Sequence, residues 1–412
     1  MSDFVMELLF YGGAFLLFVL IAILKNILKH DLNRRRRKKT NTHVPTRFIA
    51  LVAACNEEKG IESAIRSLRK QSMIEAAVVV LNNTHDSTPD VLAKLEQEYG
   101  NWLHVLKMEH NPHRKSGALN RGFDYINKQV SLKSDDLSND FIIMTLDADT
   151  IVGNKICEKI VEVFDACPHA GGANIQCLLQ DLKTISGKRH PSFMQRIWYA
   201  FQHIEYTLAM PQKISQHPKT RILAGACTAL RLCALQDVKA RRGVVWDVDA
   251  LVEDYDLTRE LHRLGWETPP VHAEAYTDAP VDAKTLLKQR RRWYKGTILM
   301  LWEDITKKFT WDDFLILLQI GIAPFMFVLQ WIVIGLIISS DWRLFFCIPL
   351  FITSFVFTSQ YMSFHHRRHG QSTLAWVIVI FPLFYLLYIM WNEILYFISI
   401  VSSVTEVERK WD

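Results

Sequence analysis

The chain has little that could staple or cage it. Its seven cysteines include no CxxC pair and no His/Cys grouping at zinc-site spacing, which argues against a disulfide framework and against a structural metal site. Six of them fall between residues 46 and 295, as suits a reducing cytosol. Net charge is also small, +5 over 412 residues. The basic residues are not spread evenly: "NRRRRKK" at Asn33–Lys39 and the run Arg290–Arg292 both stand beside apolar segments. That placement favours a membrane surface over nucleic acid. The first apolar run, about Leu8–Leu24, lacks the small-residue cleavage site of a signal peptide and is too long for one, so it is expected to be an uncleaved anchor.

What the chain does have is length for about two or three domains and four long hydrophobic runs. Three further runs lie near Phe314–Ile338, Leu344–Met362 and Leu374–Ile400, each close to the roughly 20 residues that cross a bilayer. "SSDWR" at Ser339–Arg343 makes the second and third a hairpin. Basic clusters follow the first run, precede the second (Arg290–Lys295, Lys307 and Lys308) and follow the third ("HHRRHG", His365–Gly370). They all face the cytosol only if both termini lie outside. Pro382 interrupts the fourth run, which equally fits a re-entrant or interfacial element.

Between Thr46 and about Lys295 strands alternate with helices. "RFIALVAAC", "AAVVVLN", "WLHVLKM" and "DFIIMTLDADT" are apolar β-rich runs, and Ile61, Ala64, Ile65 and Leu68 have helical spacing, as does "TPDVLAKLEQEY". The pattern predicts an α/β fold with a parallel sheet covered on both faces and a ligand site at the carboxyl ends of the strands.

Two acidic pairs stand out. In "LDADT", Asp147 and Asp149 follow a buried strand, where they could hold a divalent ion against a diphosphate; a capping or solvated turn fits as well. Glu253 and Asp254 stand ahead of an amphipathic helix predicted over Leu257–Leu264, where carboxylates also serve as caps. Asp256 could supply that cap equally well. The stretch "LLKQRRRWYKG", Leu286–Gly296, reads by itself as a nucleic-acid patch, a membrane anchor or part of an active site.

Taken in order, Asn56-Glu57 after the first strand, a polar turn after the second, "KSGALN", "LDADT", "VEDYDL" and "QRRRW" resemble the family-2 glycosyltransferases, and specifically the membrane-integrated synthases of cellulose, hyaluronan and poly-N-acetylglucosamine. The likeness covers about Arg47–Lys295. It implies a GT-A type, Rossmann-like domain inserted between transmembrane helices: an anchor and basic linker over 1–44, the catalytic domain over 45–300 and a C-terminal membrane region of about three helices over 301–412.

The resemblance also implies roles. Asp147 and Asp149 would hold Mg²⁺ or Mn²⁺ on the diphosphate of a nucleotide sugar, with Asn56, Glu57, Asn82, Asp86, Lys115 and Arg292 on the donor side. Asp254 would be the general base, supported by Glu253, in an inverting transfer. Gln289 and Trp293 would meet the acceptor, Trp293 by stacking on its sugar, with Gly225, Cys227 and Arg231 as lining candidates; Cys227 fits a small buried hydrophobe equally well. Arg290 and Arg291 would remain interfacial charge. Two departures stand out: Ala53 and Cys55 replace the family's usual Pro and aromatic, and Asn82 replaces an Asp that would accept the uracil N3 proton. The nucleotide, expected to be UDP, therefore rests on less than the transfer chemistry.

The partners expected are a nucleotide-diphosphate sugar, a growing glycan and the bilayer of the plasma (inner) membrane, with the catalytic domain cytosolic and no nucleic acid. A non-processive transferase acting on a membrane lipid, and a catalytically silent scaffold or channel, are the competing readings. Only "TEVERKWD" follows the last run, so control by a cyclic dinucleotide domain in this chain is not expected. If the spans form a channel, Gln319, Gln330, Asn392 and Glu393 are expected to face it beside Trp331 and Trp391; pairing of Glu393 with another helix is the plain alternative.

Overall fold

The computed structural model describes residues 46–131, 141–215, 217–307, 358–359, 361–362, 372–380 and 383–405. The expected first and second spans, nearly all of the third, the basic runs at 33–39 and 365–370, Lys308, the 339–343 turn, Gln319, Gln330 and Trp331 lie outside the described residues.

A single sheet of eight strands forms the frame. The strands are β1 (Arg47–Ala54), β2 (Ile74–Asn82), β3 (Leu103–Met108), β4 (Phe141–Asp147), β5 (Ile151–Val152), β6 (Gly172–Leu179), β7 (Cys227–Arg231) and β8 (Pro270–Thr277), in the order β3-β2-β1-β4-β7-β6-β8-β5. β1 pairs in parallel with β2 and β4, and β2 with β3. The wholly parallel sheet expected from the alternation is corrected at two places: β7 runs antiparallel to β4 and β6, and β5 antiparallel to β8. β6 and β8 are again parallel.

The helices among the described residues are α1 (Ile61–Arg69), α2 (Thr88–Tyr99), α3 (Arg114–Ser131), α4 (Ile156–Ala166), α5 (Leu182–Ser186), α6 (Phe193–Ser215), α7 (Leu232–Arg242), α8 (Glu253–Arg263), α9 (Ala283–Lys307), α10 (Thr373–Ile380) and α11 (Leu383–Thr405). After Arg47, β1 is apolar to its end because both its faces are covered. Phe48, Ala50, Val52 and Ala54 enter one core with Ile61, Ile65 and Leu68 of α1 and Ile156, Ile160 and Phe164 of α4. Ile49 and Leu51 point to the other face, against Leu119, Phe123 and Ile126 of α3 and Leu257 and Leu261 of α8. The two-residue period of a strand makes this division automatic.

A further core joins α6 and Leu286 of α9 to α10 and α11. Among the described residues no helix is long and apolar enough to cross a membrane. The described residues of the fourth expected span fall in α10 and α11. Pro382 itself lies outside the described residues.

Candidate active site

Because β1, β2, β4, β6 and β8 share one direction, their carboxyl ends share one edge of the sheet. The reversed β7 adds its amino end to that edge: Asp147 N–H donates to the Ala226 carbonyl (3.1 Å). The β1–α1 and β2–α2 loops are tied together there. Asn56 adopts a left-handed backbone (φ 58°) and its Oδ1 accepts from His85 N–H (2.8 Å). Asp86 accepts from the N–H of Glu58 (3.2 Å) and of Thr88 (3.0 Å) and from the Thr88 hydroxyl (2.6 Å). These bonds outweigh partial desolvation and hold the Asp86 carboxyl below its ordinary range. Asn82 is buried beneath this edge, with its Oδ1 already accepting from Asn111 Nδ2 (2.7 Å). The carbonyl that was expected to meet a base therefore serves the loop leading into α3.

The centre of the edge is an ion cluster. Lys115 lies in the first turn of α3. Its Nζ lies 2.5 Å from Asp147 Oδ1 and 3.2 Å from Glu253 Oε1. Desolvation opposes its charge, but Asp147 and Glu253 outweigh that and raise its pKa. Glu253 is held below its ordinary range in the same way: burial would raise it, and Lys115 and Arg292 prevail. Asp254 differs. Burial and the neighbouring Glu253 push it up to about 6, close to the pH at which a general base is most effective.

α8 begins at Glu253, four residues before the predicted start. The acidic pair is thus inside the first turn, and no side chain caps the helix from Val252. Asp256, offered as the alternative cap, pairs with Arg242 (2.7 Å) instead. Asp254 is held by Gly225 N–H (3.0 Å) and by the N–H of Tyr255 (2.8 Å). Gly225 is required by close approach: a Cβ there would lie 3.0 Å from Asp254 Oδ2. Gly225 therefore seats the base. The other two lining candidates are corrected. Cys227 is fully buried in the core within β7. Arg231, also buried, donates its Nε to the Ala170 carbonyl (3.0 Å) at the opposite edge of the sheet.

Asp149 follows β4 and is fixed by the hydroxyls of Thr150 (3.2 Å) and Thr277 (3.3 Å), with Gln180 Nε2 on its carbonyl (2.6 Å). Gly60 packs against it so closely that a Cβ would meet the Asp149 Cα at 2.9 Å. Burial, with Asp147 and Asp278 nearby, pushes Asp149 up to about 7; burial, with Asp149 and Asp147, does the same for Glu57. Asp147 and Asp278 thus oppose ionisation of the buried Asp149, and a cation beside Asp147 and Asp149 would relieve that repulsion. No group of three or more His, Cys, Asp or Glu side chains among the described residues is arranged to hold a metal. A pair of carboxylates fits Mg²⁺ better than a full cage does, since that ion keeps waters and substrate phosphates as ligands.

α9 carries the "QRRRW" stretch. Arg292 lies within electrostatic reach of Glu253, and Trp293 and Gln289 are half-buried. Arg290 corrects its expectation of interfacial charge: it is 2% exposed and paired with Glu205 of α6 at 2.8 Å. Asn392 does not stand apart for a lumen either, because its Oδ1 accepts from the Tyr294 hydroxyl (3.0 Å). Glu393 Oε2 is buried without a hydrogen-bond partner among the described residues. Sequence reading missed Asp278, Glu205 and Tyr206. Asp278 had a signal, since it directly follows a strand, β8, as Asp149 follows β4. The other two sit in a long helix, where nothing separates them from surface residues.

The edge of this mixed α/β sheet thus gathers carboxylates, a buried Asp254 raised to about 6 and the bridging cation Lys115. The chain belongs to the family described as Glycosyltransferase like family 2, whose sequence profile matches residues 45–296. It is 25% identical over 265 residues to the poly-beta-1,6-N-acetyl-D-glucosamine synthase of Staphylococcus epidermidis, covering 64% of this chain and 57% of that protein. The Staphylococcus aureus (strain COL) enzyme of the same name is 26% identical over 267 residues, with 63% and 58% covered. The chain therefore aligns with little more than half the length of these relatives. Among solved structures, the mannosyltransferase PcManGT of Pyrobaculum calidifontis, in complex with GDP-Man and Mn²⁺, has a similar fold at TM-score 0.52 and 12% identity, over 95% of this chain and 98% of that one. The fold is thus GT-A-like.

Proposed function

We propose that this glycosyltransferase extends an extracellular polysaccharide from a UDP-sugar by an inverting, metal-assisted transfer. In this reading residues 1–44 are a membrane anchor and linker, 45–300 the cytosolic catalytic domain and 301–412 a membrane region of the plasma (inner) membrane through which the product leaves. The observation that carries the chemistry is the placing of Asp254, shifted to about 6, beside an ion cluster in which Lys115 bridges Asp147 and Glu253. The synthase names of the relatives support a polysaccharide product, and the GDP-Man and Mn²⁺ complex of the similar fold supports a nucleotide-sugar donor with a divalent ion.

Asp254 takes the proton from the acceptor hydroxyl as that oxygen bonds to the anomeric carbon, while the bond to the diphosphate breaks on the opposite face; the configuration inverts. A bound Mg²⁺ or Mn²⁺, held by Asp147 and Asp149, supplies neutralisation of the diphosphate charge. Arg292 pairs with the same diphosphate, and Trp293 with Gln289 meets the acceptor sugar. Glu253 stays ionised against Lys115 and keeps that cation aimed into the cluster.

The test is a donor screen on the full chain in membranes. UDP-N-acetylglucosamine, UDP-glucose and GDP-mannose are offered separately, and nucleoside diphosphate release and product size are measured. One UDP-sugar should be consumed, EDTA should abolish release, and added Mg²⁺ or Mn²⁺ should restore it. A labelled single-sugar lipid would establish lipid glycosylation instead of a polymer. Release from none of the donors would sink the reading.

A further inference from the structure

We propose that Arg290 is a positioning residue that holds the Trp293 indole on the acceptor side of the site. The proposal rests on the reading above in which Trp293 meets the acceptor sugar. Arg290 and Trp293 are three residues apart on α9, so their side chains are neighbours on one helix face. The guanidinium carbon lies 4.5 Å from the centre of the indole ring. A desolvated cation on one ring face attracts the ring strongly and fixes its plane. The opposite face is then the one a sugar can stack on.

The guanidinium is itself held from two other helices. Its Nη2 donates to Glu205 Oε2 of α6 (2.8 Å), and the Tyr388 hydroxyl of α11 donates to the same oxygen (2.9 Å). Tyr388 in turn stacks on Phe201, with ring centres 4.8 Å apart. Stability alone does not account for this arrangement. An apolar pair of similar volume usually matches or exceeds a buried ion pair in stability, whereas removing one partner is costly because it strands a charge. What an apolar pair could not do is hold the indole by a charge on its face.

That contrast supplies the test. Arg290→Met, Glu205→Met and the double variant are prepared as full chains in nanodiscs. They are assayed with UDP-N-acetylglucosamine and a short N-acetylglucosamine oligomer as acceptor, alongside thermal unfolding and hydroxyl-radical footprinting of Trp293. The single variants should melt lower than wild type. The double variant should regain the wild-type melting temperature yet keep an acceptor KM raised about 10-fold, with donor KM unchanged and Trp293 labelled severalfold more. Wild-type acceptor KM and wild-type Trp293 labelling in the double variant would overturn the proposal and leave Arg290 a purely structural partner of Glu205. If wild-type protein transfers nothing to the oligomer, the donor and acceptor reading is wrong, and footprinting still decides whether Arg290 fixes the ring.

Discussion

At the scale of single residues, the site works by giving similar carboxylates different surroundings. Asp254 and Glu253 are adjacent, yet Lys115 and Arg292 hold Glu253 ionised while burial and Glu253 itself raise Asp254 to about 6. A base must be deprotonated to act, so kcat is expected to fall as pH drops through about 6 and to level off above it. Asp254→Asn should lower kcat by about 10²–10⁴-fold and erase that limb of the profile. Donor affinity should hardly change, because the lost group acts on the acceptor. Retention of most turnover at pH 7 would mean the base lies elsewhere. Gly225 gives a sharper probe, since it touches the base without titrating. Gly225→Ala places a methyl 3.0 Å from Asp254 Oδ2 and must move the carboxylate, the hydrogen bond to it, or both. Misplacement of a catalytic group by about 1 Å costs roughly 100-fold; the shift of a few tenths of an ångström needed here is expected to lower kcat by about 2–10-fold at nearly unchanged donor KM. A variant with normal kcat would show that the Gly225 contact does not set the position of Asp254.

At the scale of elements, α8 joins catalysis to stability. Its first turn holds the base, and near its other end His262 is enclosed against Thr268, with Nε2 2.8 Å from Oγ1. Burial, with Lys219 and Arg259 nearby, lowers His262 to about 4. Its folded pKa is thus below its unfolded value of about 6.5, and the unfolded chain takes up the proton first. Stability from this group is complete above about 6.5 and is lost as pH falls toward 4, by roughly 3 kcal/mol at most. Urea unfolding of wild type and His262→Gln at pH 7.5 and pH 5 should show the smaller loss in the variant; equal losses would refute the linkage. The same helix shows what sequence could and could not give. The amphipathic spacing of Leu257, Leu261 and Leu264 marks a helix, but Glu253 and Asp254 read equally well as residues before it, because acidic groups favour both a cap and a first turn. The strands were legible from apolar runs such as "FIIMTL". The reversal of β7 was not, since a buried strand carries the same run in either direction. That reversal is what brings Gly225 to Asp254.

At the scale of the whole molecule, the question is how the C-terminal helices relate to the catalytic sheet. The site cluster was legible because its carboxylates follow strands in order along the chain. The α6–α9–α11 junction was not, because Glu205, Arg290 and Tyr388 are far apart in sequence, Glu205 and Tyr388 belong to no recognisable pattern, and Arg290 is a variable position inside "QRRRW". Trp391 illustrates the consequence. From sequence it was a candidate for a sugar-lining aromatic beside Asn392, yet its ring lies 5.4 Å from Trp198 of α6 and 5.9 Å from Tyr388, nearly parallel to the latter. These rings pack α11 onto α6, and Phe201 extends the stack through Tyr388. Aromatic pairs of this kind add about 0.5–1.5 kcal/mol beyond the area they bury. Removing a half-buried indole of this size costs roughly 2–3 kcal/mol, below the loss for a fully buried one. Trp391→Ala is therefore expected to lower the unfolding temperature and to weaken protection of α11 against proteolysis. Below that temperature the size distribution of the product should stay as in wild type. Trp391→Phe, which keeps a ring for packing, should recover most of the stability. A shortened product with unchanged unfolding would reverse the assignment, because it would place the Trp391 ring against the glycan and not between the helices.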